Sequence, residues 1–128
     1  MRIDDTRPIW VQLVETYRRR IASGAWAPAA KIPSVRELAL EAQANPNTIQ
    51  RALGELDREG LTAAERAQGR FVTTDPVAIA LVRRELALRA TDEHIHSLRS
   101  IGMELPEAQD LLSARWDRDA TTPEGGEK

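Results

Sequence analysis

Cysteine is missing from this chain of 128 residues, which excludes disulfides and thiolate metal sites together. Histidine is almost as scarce. His94 and His96 stand two positions apart, so on a helix they point in different directions, and no carboxylate set completes a ligand cage around them. They read as helix-face residues; no metal, no cofactor and no catalytic constellation is expected, and the chain is not expected to be an enzyme. Long hydrophobic runs are lacking too. Nothing approaches the roughly 20 apolar residues that cross a bilayer, and the start MRIDDTR has no apolar stretch of the signal-peptide kind. A soluble, cytoplasmic protein without a membrane partner is expected. At this length the chain can hold one compact core with an appendage, but hardly a domain with a deep substrate cleft.

The formal net charge is −2, which does not by itself favour a polyanionic partner, but the distribution matters as well as the sum. Residues 1–75 carry eleven Lys or Arg against ten Asp or Glu, net +1, and residues 76–128 carry seven against ten, net −3. The bias points to the first part as the side for nucleic acid.

Three helical patterns open the chain. Pro8 is placed as a first helical residue, and Trp10, Leu13 or Val14, Tyr17 and Ile21 recur at helical spacing until Ser23 and Gly24. The cluster Arg18, Arg19 and Arg20 suits the C-terminal end of that helix dipole and leaves open ordinary solvation or contact with phosphate. Trp26, in the link AWAPAA, reads as a buried anchor. Ser34, with Glu37 three residues later, is a capping box that starts a second helix over about residues 35–42, with Val35, Leu38 and Ala39 on its apolar face. Asn45 and Pro46 start a third, whose buried stripe is Ile49, Ala52, Leu53 and Leu56 and which Gly60 ends. Its other face shows Asn47, Thr48, Gln50, Arg51, Glu55 and Arg58. Residues 61–65 and 70–74 then predict a two-stranded ribbon with the turn RAQG, in which Gly69 permits a backbone conformation that other residues resist.

Two helices joined by a short turn and followed by a ribbon form a winged helix-turn-helix, mainly α with a small β-wing, over residues 1–75. In such a unit the third helix lies in a major groove, where base edges offer a distinct donor and acceptor pattern. Gln50 and Arg51 are long enough to reach those edges, and Asn47 and Thr48 sit at the end that approaches closest. Arg36 and Lys31 are candidates for phosphate, and Gln68, Gly69 and Arg70 place the ribbon turn near the adjacent minor groove. With Ser34, these ten residues make up the expected interface with double-stranded DNA.

Asp75 and Pro76 begin another helical stretch that runs to Gly102, and LPEAQDLLSARW a shorter one. Residues 76–116 therefore form a helical hairpin too small for its own core, and Leu81, Leu88, Ile95, Leu98, Leu111 and Leu112 are the residues expected to pair it with a second copy. The same surface is compatible with a solid homodimer core and with a cleft that admits a small-molecule effector. Residues 117–128 are polar and rich in helix breakers and are expected to be a disordered tail.

The segments PIWVQLVETYRRRIASG, KIPSVRELA, NPNTIQRALGELDREGL and QGRFV stand in an order and spacing that resemble GntR-type bacterial transcriptional regulators, specifically the small YtrA-like subgroup. The resemblance spans residues 7–73 well and 76–112 weakly. It implies operator contacts for Arg36 and Arg51, and backbone or minor-groove contacts for Thr48 and Gly69. It also implies a repressor that binds an inverted repeat as a homodimer, with control of a transporter operon or of a stress response as the context. Three positions depart from the family pattern: Ala29 replaces a glycine after the loop proline, Ala67 replaces the first wing glycine, and Arg70 replaces a threonine. The competing expectation is a winged helix used for protein interaction or architecture without specific operator recognition.

Overall fold

A computed structural model describes residues 2–120. In chain order these form α1 (Ile9–Ser23), α2 (Val35–Ala42), α3 (Pro46–Arg58), β1 (Thr62–Glu65), β2 (Gly69–Val72), α4 (Pro76–Ser100) and α5 (Leu105–Ala120). The mainly helical class with a small β-wing is therefore the observed one.

Pro8 caps α1 instead of entering it. Its ψ of 138° is extended, and its carbonyl accepts from the amides of Val11 and Gln12 at 3.2 and 3.3 Å. Gly24 closes the helix in the left-handed conformation, φ 87°, which costs a residue without Cβ little. One side of α1 turns Leu13, Tyr17 and Ile21 into a core that they share with Leu38 of α2 and with Ile49, Leu53 and Leu56 of α3. All seven side chains are essentially sealed from solvent.

A further polar residue belongs to this core. Gln12 is buried, and its amide is fully used: Nε2 donates to the carbonyls of Asp4 and Arg7 at 2.8 and 2.9 Å, and Oε1 accepts from the Asp4 amide at 3.0 Å. That satisfies a group that would be costly to bury unpaired and straps the segment before α1 onto the helix.

The two strands pair antiparallel from Thr62 with Val72 to Glu65 with Gly69, so the second strand starts one residue earlier than the sequence suggests and stops at Val72. The free side of β2 is covered by residues 29–32. The amides of Ala29 and Ile32 donate to Val72 and Arg70, and the Val72 amide donates to Ala30, all at 3.0–3.1 Å. A third, short edge thus ties the loop after α1 to the wing.

The expected boundary at residue 75 moves. Ile79 and Val82 of α4 are buried in the winged-helix core, and Arg83 donates from Nε and Nη2 to the Ala22 carbonyl at 3.1 and 2.9 Å. The first compact unit accordingly runs to Ala87, and the second starts at Leu88. α4 is apolar on more than one side, so its first turns contribute to the core while Val77 and Leu81 of the same turns stay exposed.

The second unit contains the rest of α4, a turn in which the amides of Gly102 and Met103 donate to Arg99 and Leu98, and α5. None of residues 88–118 is buried: Leu88 is 50% exposed, Leu112 57% and Trp116 66%. α5 continues to Ala120, so four residues assigned to the tail are helical. After Pro106 in the first turn of α5, no proline or glycine occurs in the sequence before Pro123. The remainder of the expected tail, residues 121–128, lies outside the described residues. No helix among the described residues is long and apolar enough to cross a membrane.

Candidate nucleic-acid interface

The start of α2 is set by a reciprocal cap. Ser34 Oγ accepts from the Glu37 amide at 3.1 Å, and a Glu37 carboxylate oxygen accepts from the Ser34 amide at 2.8 Å. That amide, followed by the serine hydroxyl, holds the Glu37 carboxyl below the usual carboxylate range. At the other end Gln43 adopts the left-handed conformation, φ 52°, and reverses the chain. Two residues on, Asn45 Oδ1 accepts from the Asn47 amide at 2.7 Å, with Pro46 as the first residue of α3. The turn between α2 and α3 is thus closed by caps at both sides, and α2 holds α3 through Leu38 while Val35 and Ala39 pack at the edge of the core.

What α3 keeps outside is the polar face read from the sequence. Asn47, Gln50, Arg51 and Arg58 are exposed, and Thr48 is half-buried at the amino end. Arg58 is bound back to Glu55, with Nε 2.9 Å from a carboxylate oxygen. Its hydrogen bonds, with one from Glu59, pull the Glu55 carboxyl down to about 2, whereas burial pushes that of Glu59 up. Among the described residues Arg51 has no carboxylate partner; its guanidinium carbon lies 4.2 Å from the centre of the Trp10 ring.

Lys31, Ser34, Gln68, Gly69 and Arg70 come together around one hollow between the wing and the start of α2. Gly69 has φ 112°, and a Cβ there would lie 2.6 Å from Lys31 Cε; the wing turn needs glycine for its backbone, and the lysine stem fills the space beside it. Arg36 is exposed on α2 and lines a second, more apolar hollow with Leu40, Ala44 and Pro46.

The sequence pattern of the bacterial regulatory proteins of the gntR family matches residues 11–72, the span from the first turn of the first helix to the end of the wing. Residues 11–72 form a GntR-family domain. Among relatives, the HTH-type transcriptional repressor YtrA of Bacillus subtilis strain 168 is 39% identical over 66 residues, 52% of this chain and 51% of YtrA; the match spans about half of that repressor's length. A GntR family transcriptional regulator from Listeria monocytogenes superposes with a TM-score of 0.78 at 29% identity, over 88% of this chain and 98% of that one. The DNA-binding domain of AraR, solved in complex with operator ORR3, superposes with a TM-score of 0.52 at 29% identity, over 57% of this chain and 88% of that one.

Within this GntR-family unit, two groups of arginines take places that the sequence pattern does not determine. Arg70, expected at the wing, donates from Nε and Nη2 to Asp57 near the end of α3 at 3.0 and 2.9 Å, and Asp57 also accepts from the Thr62 hydroxyl. The guanidinium therefore braces wing to helix, and the exposed charge at the wing turn is Arg66. In α1, Arg18 pairs with Glu59 at 3.2 Å and with Glu85. Arg20 makes a two-point contact with Glu41 of α2 at 2.7 and 3.0 Å. Only Arg19 of that cluster is exposed. Trp26, expected as a buried anchor, is half-buried at the edge of the core and stacked on Tyr17 with ring centres 5.0 Å apart; burial pushes the Tyr17 hydroxyl up to about 12.

Proposed function

We propose that this chain is a sequence-specific transcriptional repressor of the YtrA-like subgroup. It binds double-stranded DNA in the cytoplasm as a homodimer on an inverted repeat and controls a transporter operon or a stress response. The observation that carries this is the outward face of α3. Asn47, Gln50 and Arg51 stand together just after a doubly capped turn, exposed and without ion-pair partners among the described residues, on a helix whose opposite face is locked in the core. Side chains of these three types match the donor and acceptor patterns of adenine and guanine edges. Arg36 and Lys31 flank them as phosphate contacts, and Gln68 and Gly69 carry the wing toward the next groove. The complex of AraR with its operator and the repressor name of YtrA support the same direction.

Pairing rests on a separate observation. Residues 88–118 include no buried side chain, and Leu88, Ile95, Leu111 and Leu112 are between 41% and 57% exposed. A helix pair with that much open apolar surface is stabilised by covering it, and a second copy covers it symmetrically while bringing a second α3 helix to the complex.

The test is selection of bound duplexes from a random pool with the full chain, together with its mass in solution. Enrichment of an inverted repeat whose half-sites lie about 10 bp apart, one helical turn, and a dimeric mass are expected. No enriched sequence would leave a winged helix without operator recognition.

A further inference from the structure

Among the described residues of the first unit, the arginines seen against another side chain fall into two classes by what holds them. Carboxylates hold Arg7, Arg18, Arg20, Arg58 and Arg70, through Glu15, Glu59 with Glu85, Glu41, Glu55 and Asp57 respectively. Each of those arginines donates at least one guanidinium N–H to its carboxylate partner. Arg51 is held by a ring. Trp10 of α1, half-buried against the core, lies under its guanidinium carbon at 4.2 Å, well inside the range at which an indole face attracts a cation. Such a face fixes the side chain through its charge and accepts no conventional hydrogen bond, so the guanidinium donors stay available. Arg20 shows the contrast: it lies over both Tyr17 and Trp26, at 5.7 and 5.4 Å, but spends its donors on Glu41.

We propose that Trp10 is a positioning residue for DNA recognition, with its indole pre-ordering Arg51 on the outer face of α3, so that α1 sharpens sequence discrimination without touching a base. The proposal rests on the reading above that Arg51 contacts a base edge. An unheld arginine loses its rotamer freedom on binding, a penalty of roughly two- to tenfold in affinity. The ring removes part of that before the duplex arrives. Trp10 then acts on the specific complex and not on general attraction to phosphate, which does not require one fixed rotamer.

The experiment measures affinity of the full chain for the selected duplex and for a scrambled duplex of the same length at one salt concentration, with thermal unfolding of each variant alongside. Trp10→Leu is expected to weaken the selected duplex roughly fivefold and to leave the scrambled one unchanged. Trp10→Phe, with a weaker ring face, is expected to lose about twofold. Arg51→Ala is expected to lose roughly tenfold or more, and Trp10→Leu added to it should cost nothing further. Equal loss on both duplexes, the same loss with and without Arg51, or no loss at all would overturn the proposal. If Trp10→Leu lowers the melting temperature, the Trp10→Phe and Arg51→Ala pair is read in its place, and additivity of those two changes overturns the proposal. If Arg51→Ala alone leaves the selected duplex bound as before, the base-reading role itself has failed, a result distinct from failure of the tryptophan's part.

Discussion

Apolar residues recur at helical spacing in α1 and in the stretch from Leu88 to Leu112, but only α1 encloses what it carries. Leu13, Tyr17 and Ile21 are sealed between α2, α3 and the first turns of α4, whereas Leu88, Ile95, Leu111 and Leu112 remain open to solvent. Periodicity states that a face is to be buried; it does not state by what. The number of elements around the face decides that. Three helices, a ribbon and the start of a fourth helix close around the first set, and the second has one helix end and one short helix, too little for a core.

Truncating one leucine in each region sharpens this contrast most. Leu53 is 1% exposed at the centre of the first core, so Leu53→Ala is expected to destabilise the winged helix by about 2–5 kcal/mol. Leu111, 46% exposed, should change the same unfolding transition by less than about 0.5 kcal/mol when replaced by alanine, while weakening the dimer. Chemical unfolding of the winged-helix transition for both variants, with mass against concentration for the second, checks the pair. A large loss of winged-helix stability from Leu111→Ala would show that the open face belongs to the same cooperative core.

The next effect is local, and locality explains how much of the site the sequence reveals. The caps at Ser34 and Asn45 fall where the pattern places them because a cap depends on neighbours two or three positions away. Given those starts and the spacing of Ile49, Leu53 and Leu56, the outward face of α3 follows. Contacts that cross the fold do not follow. Nothing in the spacing of Asp57 and Arg70, thirteen residues apart, announces that the wing arginine is bound to α3. The same holds for Arg20 with Glu41, for the strap made by Gln12, and for the pairing of residues 29–32 with β2. Ile79 and Val82 were hidden for another reason: α4 is apolar on several sides, so its period cannot tell the core side from the open one.

The cap offers a measurable case. Ser34→Ala is expected to cost about 1 kcal/mol. The Glu37 half of the box adds a pH dependence. Its carboxyl lies below the ordinary value in the folded protein, so its contribution is present above the unfolded pKa and is lost as pH falls through the lowered one. Unfolding of wild type and Glu37→Gln should therefore differ near neutral pH and converge in acid. A gap that persists unchanged at low pH would remove the carboxylate from the account.

The smallest effect has the opposite sign. Two of the departures from the family pattern, Ala29 and Ala67, both lie in the left-handed region, with φ 68° and 62°. The replaced glycines thus mark backbone geometry that this chain keeps without them. An alanine in that region is strained by about 1–2 kcal/mol, and a glycine returns that strain but frees the unfolded chain by about 0.4–1 kcal/mol. The difference favours glycine by roughly 0.5–1 kcal/mol at each site. Both side chains are exposed, so no lost packing offsets it. Ala29→Gly and Ala67→Gly should each raise the midpoint of denaturant unfolding of the winged helix and leave the second region unchanged. A lowered midpoint would mean that the loop before Lys31 and the wing turn relax out of these conformations in solution, and with them the geometry that sets Lys31 beside Gly69.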